Sequence, residues 1–359
     1  MTYSIKKVEL EITSDCNAAC PGCARTLNGC TINLFTLQDL QRMFPPQDYT
    51  GVQFKFCGVL GDPIVNPDCL EMTEYLLSNG AYCEYSTNGG YNNKTWWEQL
   101  GNLASKYIGK LHIHFCIDGH KETNHIYRVN TKWNVVERNI TAFAKTAPEK
   151  HATWIYIIFD HNENELVKAR AHSTVLGFDF ATRTGMRNSY HTWIAQLTRK
   201  QNKKIVKERK QITTTGSKEH TKKNIVADLD KFIAQYKTKK VDKEKTQEIL
   251  SSIVCKYIHE QEIFIASDQT LWPCCFLWDS AFKNSEGIIQ KLNRFDEGWN
   301  SLKEHSIEEI LEHPWYDELL AASWQPNHTL HLTRCIRTCA KNKAYHNEII
   351  YADKGISTV

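Results

Sequence analysis

Three cysteines close to the N-terminus, Cys16, Cys20 and Cys23, stand in the stretch Cys16-Asn17-Ala18-Ala19-Cys20-Pro21-Gly22-Cys23. Thiolates are soft ligands that suit iron–sulfur clusters or zinc. Three of them in one loop are able to hold three corners of a 4Fe–4S cube. The fourth iron then lacks a protein ligand and is open to a small molecule, by the same logic that leaves a catalytic metal an open position. A spacing of three residues and then two is far more specific than a lone pair of cysteines.

The 359-residue chain holds 13 cysteines. Three are at the front, and Cys255, Cys274, Cys275, Cys335 and Cys339 follow residue 250. The start, Met-Thr-Tyr-Ser-Ile-Lys-Lys, lacks a signal-peptide core. So many cysteines without a secretory signal argue against a disulfide framework. They point to metal or redox chemistry in a reducing, cytoplasmic compartment. Cys30, Cys57, Cys69, Cys83 and Cys116 read first as buried free thiols. No apolar run of about 18 residues is present, so no membrane partner is expected.

The elements that must position these residues repeat as strand then helix over 5–184. Val8, Leu10 and Ile12 alternate and predict a first strand that runs into the cysteine loop. Thr36-Leu37-Gln38-Asp39 predicts a helix cap, with the helix ending before Pro45-Pro46. Further strands are predicted over 52–57, 81–86, 111–117, 153–159 and 178–184, with helices near 68–79, 93–106, 134–146 and 164–176. Six alternations imply a parallel sheet with helices outside it. The pattern alone leaves open a doubly wound sheet or a partial barrel. In either, chemistry collects at the strand C-terminal ends, where the cysteine loop falls.

Residues 199–245 differ, with 16 Lys and Arg against 6 Asp and Glu in a chain whose net charge is only +3. Ile225, Leu229, Ile233 and Tyr236 predict one apolar helix face there. A solvated linker helix is the simpler reading. A basic surface for nucleic acid or an acidic peptide is the functional one.

The front cysteine stretch resembles the motif of the radical S-adenosylmethionine (SAM) enzymes, whose open iron binds the amino and carboxylate groups of SAM. The turn Cys57-Gly58-Val59-Leu60-Gly61-Asp62-Pro63 resembles that family's Gly-Gly-Glu-Pro turn, with Leu60 and Asp62 in place of the first Gly and the Glu. The resemblance implies that Gly61 and Asp62 receive the SAM amino group. Ser86-Thr87-Asn88-Gly89-Gly90 is similar to the Thr-Asn-Gly strand end of several subfamilies, which brings Thr87 and Asn88 to the cofactor. Phe115-Cys116-Ile117-Asp118-Gly119, followed by His125 and Arg128, resembles the Ser-Leu-Asp-Gly…His…Arg segment of the peptide-modifying branch. It implies cofactor contacts from Asp118 and Arg128, the latter to the SAM carboxylate, and Cys116 stands where Ser touches the ribose.

The resemblance selects the α/β fold of a partial (β/α)6 TIM-type barrel, with a small α+β extension at the C-terminus. The implied division is 1–185 barrel, 186–250 basic linker, 251–345 extension and 346–359 tail. The extension has the layout of a SPASM or shorter twitch domain, with a β-hairpin over 263–275 delivering Cys274 and Cys275. Cys255, Cys335, Cys339 and one of Cys274 or Cys275 would complete one auxiliary 4Fe–4S cluster, and zinc is the competing occupant.

The implied activity is reductive cleavage of SAM to a 5′-deoxyadenosyl radical that takes hydrogen from a peptide or protein, leading to epimerisation, oxidation or crosslinking. A flavodoxin- or ferredoxin-type reductant is the implied electron partner. The alternatives are modification of a metabolite, nucleoside or RNA, for which the basic stretch is relevant, and a non-catalytic iron–sulfur or zinc interaction module. Cys57 and Cys116, at predicted strand ends, are the candidate catalytic thiols. His114, Asp118, Asp160 and His161 are candidates for proton work, although packing and turn roles are commoner for such residues.

Overall fold

A computed structural model describes residues 4–183, 253–282, 298–324, 332–339 and 349–351. The helix expected around Ile225 and the whole stretch 199–245 lie outside the described residues.

Strand β1 (Lys7–Leu10) begins the sheet. Val8, Leu10 and Ile12 sit in the apolar core, whereas Glu9 and Glu11 alternate onto the other face. The first helix, α1 (Ala24–Asn28), directly follows Cys23. Thr36 and Asp39 then close a capping box on α2 (Leu37–Met43), satisfying amides that the helix start leaves open. The repeat continues with β2 (Gln53–Phe56), α3 (Cys69–Ser78), β3 (Tyr82–Thr87) and α4 (Lys94–Lys106). It then runs through β4 (Leu111–Cys116), α5 (Asn124–Tyr127), α6 (Trp133–Thr146) and β5 (Ala152–Ile157). The last unit is α7 (Leu166–Val175) and β6 (Asp179–Arg183).

Three more strands complete the sheet: β7 (Glu262–Ile265), β8 (Leu271–Trp272) and β9 (Ile349–Tyr351). The order is β8-β7-β1-β2-β3-β4-β5-β6-β9. Strands β1 to β6 run parallel, and β7 pairs parallel with β1. Strands β8 and β9 pair antiparallel at the two ends. The sheet therefore keeps two edges and forms a partial barrel.

The expected hairpin is present as β7 and β8, and its position was not foreseen. Lys7 pairs with Glu262 and Glu9 with Phe264, so the C-terminal part extends the sheet from its first strand. One apolar core accordingly runs from Phe56 and Phe115 to Phe264, Trp278 and Leu302. Each such side chain contributes about 1.5–3 kcal/mol by leaving water.

Candidate functional site

Beyond β1 the chain turns through Asp15 into the cysteine loop, and the neighbouring strands pin that loop. Ser14 Oγ donates to Thr31 O at 2.9 Å, and Asn33 N donates back to Ser14 Oγ at 2.8 Å. Ala19 N donates to Val129 O at 2.8 Å. Arg25 donates to Leu60 O at 3.2 Å and also to Ala18 O.

Each front cysteine is met by the segment that follows a different strand. Asn88 Nδ2, after β3, lies 3.6 Å from Cys16 Sγ. Arg128 Nη1, beyond β4, lies 3.9 Å from Cys20 Sγ. Cys23 Sγ lies 3.9 Å from Val59 O in the turn after β2. Burial pushes the Cys16 thiol up, helped by Asp62 and Cys20. Burial likewise raises Cys20 to about 11, against the pull of Arg128. Thiols held this way are costly to ionise alone and become thiolates when a metal supplies positive charge.

The turn after β2 is packed against the root of the cysteine loop. A Cβ on Gly61 would lie 1.8 Å from Thr13 O, and one on Gly58 would lie 1.9 Å from Gly61 O, so neither position accepts a side chain. Asp62 N donates to Asp15 O at 2.8 Å. The Asp62 carboxylate, 5% exposed, accepts from Asn88 N at 2.8 Å and from Ile64 N at 3.4 Å. Burial raises its pKa to about 6 despite these donors.

Thr87 Oγ1 accepts from Gly89 N at 3.1 Å. Asn88 Nδ2 also donates to Asn17 Oδ1 at 2.9 Å. Asp118 is fully buried and holds Arg128 Nε at 2.7 Å, while its second oxygen accepts from Ile157 N at 2.7 Å. Asp118 thus engages Arg128 and backbone, and Arg128 is the one of the two that reaches the cysteine loop.

Cys57 and Cys116 follow the alternation of β2 and β4 onto the inner face, in different surroundings. Cys57 lies near Glu9, Lys55, Glu11 and Glu262, and burial raises its pKa well above the usual thiol value. Cys116 lies near Arg128 and Arg183, which offset part of the rise that burial causes. Of the proton-transfer candidates, His114 Nε2 is 3.5 Å from Glu84 Oε1, and His161 stacks on Phe159 at 5.2 Å.

In the C-terminal part, Cys255, Cys274, Cys335 and Cys339 line one cavity with Phe276, Leu277 and Trp324. Val254 N donates to Cys339 O at 3.0 Å, which ties the first and last of these segments together. Burial raises Cys274 to about 12 and Cys339 to about 11. Cys275 opens the helix Cys275–Phe282 and does not line that cavity. It lies near Glu9, Cys274 and Cys57 instead.

Among the described residues, no three ligating side chains converge closely enough to hold a single metal ion. A cube presents four separate irons, so its thiols stand apart rather than meeting at a point. The two cysteine groups fit clusters by the chemistry of their donors: three thiols in the front loop and four around the rear cavity.

Glu11 was not singled out from the sequence. It is fully buried, and its Oε1 accepts from Leu60 N at 2.6 Å and Gly61 N at 3.4 Å. Its Oε2 accepts from Ser267 Oγ at 3.1 Å, in the β7–β8 turn. Glu11 therefore holds the glycine turn and links it to the C-terminal hairpin. The signal for it was a pair of carboxylates, Glu9 and Glu11, on the non-core face of a strand.

Sheet order, outer helices and a loop at the strand ends define a partial (β/α)6 barrel. No family model matches the chain, and no curated protein matches it. Among solved structures, Streptococcus suis SuiB bound to S-adenosylmethionine has a TM-score of 0.53 and 12% identity, covering 89% of this chain and 67% of that one. SuiB bound to its precursor peptide SuiA has a TM-score of 0.54 and 13% identity, covering 88% of this chain and 67% of that one. At such identities the likeness is one of fold. Among the described residues, no helix is long and apolar enough to cross a membrane.

Proposed function

We propose that the protein is a radical SAM enzyme acting on a peptide or protein. The observation that carries this reading is that Cys16, Cys20 and Cys23 are each met by the segment following a different strand of a partial barrel. When bound, a 4Fe–4S cluster and SAM supply an electron and a 5′-deoxyadenosyl radical able to take hydrogen from an unactivated C–H bond. Cys16, Cys20 and Cys23 hold three irons in this reading. Gly61 brings backbone to the cofactor, and Asp62 offers a carboxylate that Asn88 N and Ile64 N orient. Arg128, fixed by Asp118, presents its guanidinium toward the same loop and suits a carboxylate. Thr87 and Asn88 shape the β3 side.

Cys57 and Cys116 are thiols whose raised pKa keeps the S–H proton at neutral pH, as a hydrogen-atom donor requires. Cys255, Cys274, Cys335 and Cys339 hold an auxiliary 4Fe–4S cluster in a SPASM- or twitch-like extension. A peptide substrate is favoured because the fold is shared with a protein solved with its precursor peptide.

Iron stoichiometry after anaerobic reconstitution tests the cluster assignment. About eight irons are expected in the wild type and about four after Cys274→Ser, with Cys275→Ser unchanged. Zinc in the rear site, or a loss of iron from Cys275→Ser instead, contradicts it.

A further inference from the structure

One oxygen on the inner face of the sheet has no donor. Glu9 is 6% exposed, and its Oε1 lies 3.3 Å from Lys55 Nζ. Its Oε2 is shut off from solvent and has no hydrogen-bond partner among the described residues. A buried acceptor left in that state is destabilising, and more so when charged. Such an atom is one a ligand satisfies.

Strand register explains its neighbours. Phe264, Glu9, Lys55, Glu84 and His112 lie side by side across β7, β1, β2, β3 and β4. Lys55 also approaches Glu84 at 3.9 Å, and Glu84 accepts from Gln53 Nε2 at 3.0 Å. Across β7, Glu262 pairs with Lys256 at 3.0 Å and lies within electrostatic range of Glu9. Glu9 thus has Lys55 on one side and Lys256 within electrostatic range on the other, and Glu84 also meets His114 Nε2 at 3.5 Å. Glu11, the next inward carboxylate of β1, has both oxygens taken by Leu60, Gly61 and Ser267. The Lys55 side chain beside Glu9 is 31% exposed.

We propose that this face is the subsite for the substrate side chain, and that Glu9, backed by Glu262, receives a cationic nitrogen, an ammonium or a guanidinium. The inference rests on the reading of the protein as an enzyme acting on a peptide, and it names the residue recognised as a lysine or an arginine. A cation supplies the donor that Glu9 Oε2 lacks. An apolar side chain leaves that oxygen unmet, and an acidic one is repelled, so the subsite discriminates in both directions. Cys57, near Glu9 and Glu262, then stands beside the anchored residue.

Ligand-observed NMR on the purified full chain tests this, with Nα-acetyl-lysine amide, Nα-acetyl-arginine amide and Nα-acetyl-norleucine amide as probes. The lysine or the arginine probe is expected to bind at least about tenfold more tightly than the norleucine probe. Comparison of the two cationic probes separates ammonium from guanidinium. Glu9→Gln is expected to abolish the preference, and Glu262→Gln to weaken it. Should Glu9→Gln fail to fold, Glu262→Gln decides. Equal binding of the three probes, binding of none, or a preference unchanged in the folded variants overturns the proposal. The measurement needs neither iron nor SAM, so its failure is distinct from failure to cleave SAM.

Discussion

Asp118 and Arg128 form a buried ion pair, Oδ2 to Nε at 2.7 Å, that aims the other end of the guanidinium at Cys20. The carboxylate is fully enclosed, so it was taken out of water to hold this one cation. Removing either partner leaves a buried charge unmatched. Asp118→Asn and Arg128→Met are each expected to cost about 3–5 kcal/mol in urea unfolding. The double variant should lose less than the sum, which a double-mutant cycle reads directly. Additive losses would show that the two residues do not act as a pair.

Glu11 and Ser267 join the glycine turn to the C-terminal hairpin. Ser267→Ala removes one neutral donor and is expected to cost about 1 kcal/mol. Glu11→Leu strips the acceptor from Leu60 N and Gly61 N, at about 1–3 kcal/mol for each amide left without a partner. Chemical unfolding of the two variants should therefore rank Glu11→Leu well below Ser267→Ala in stability.

His112 makes the inner face sensitive to acid. Burial, with His114 beside it, lowers its pKa from 6.5 to about 4 in the folded chain. The unfolded chain therefore binds the extra proton more readily, and stability falls as pH drops from about 6.5 toward 4. Between pH 7 and pH 5 this one group contributes a loss of at most about 2 kcal/mol. His112→Gln, which keeps a partner for Thr153 Oγ1, should lose correspondingly less stability over that interval in urea unfolding.

Cys57 is tested by its effect on product rather than on folding. If it donates the hydrogen atom, Cys57→Ala should cleave SAM yet lose solvent-derived hydrogen in the product, as read by mass spectrometry in deuterated buffer. Full product labelled from solvent would assign the donor elsewhere.

The alternation of Val8, Leu10 and Ile12 and the capping box at Thr36 made the barrel units legible, because local periodicity and caps are short-range features. The pairing of β7 with β1 was not, since it joins Lys7 to Glu262 with no local trace in either segment. Cys274 and Cys275 were inseparable as neighbours in sequence. They separate in space because the chain enters a helix at Cys275, sending one thiol to the rear cavity and the other toward Glu9. Glu9 and Glu11 were passed over because charged residues alternating on a strand read as a solvated face. A sheet that curls into a barrel turns that face inward.

SAM cleavage by the reconstituted protein under anaerobic reducing conditions tests the central claim most directly, with 5′-deoxyadenosine quantified by chromatography. The wild type is expected to release 5′-deoxyadenosine and methionine in equal amounts, and Cys16→Ala, Cys20→Ala and Cys23→Ala to release none. Absence of 5′-deoxyadenosine from an iron-loaded wild type, or release that survives loss of any one of the three cysteines, would contradict the account.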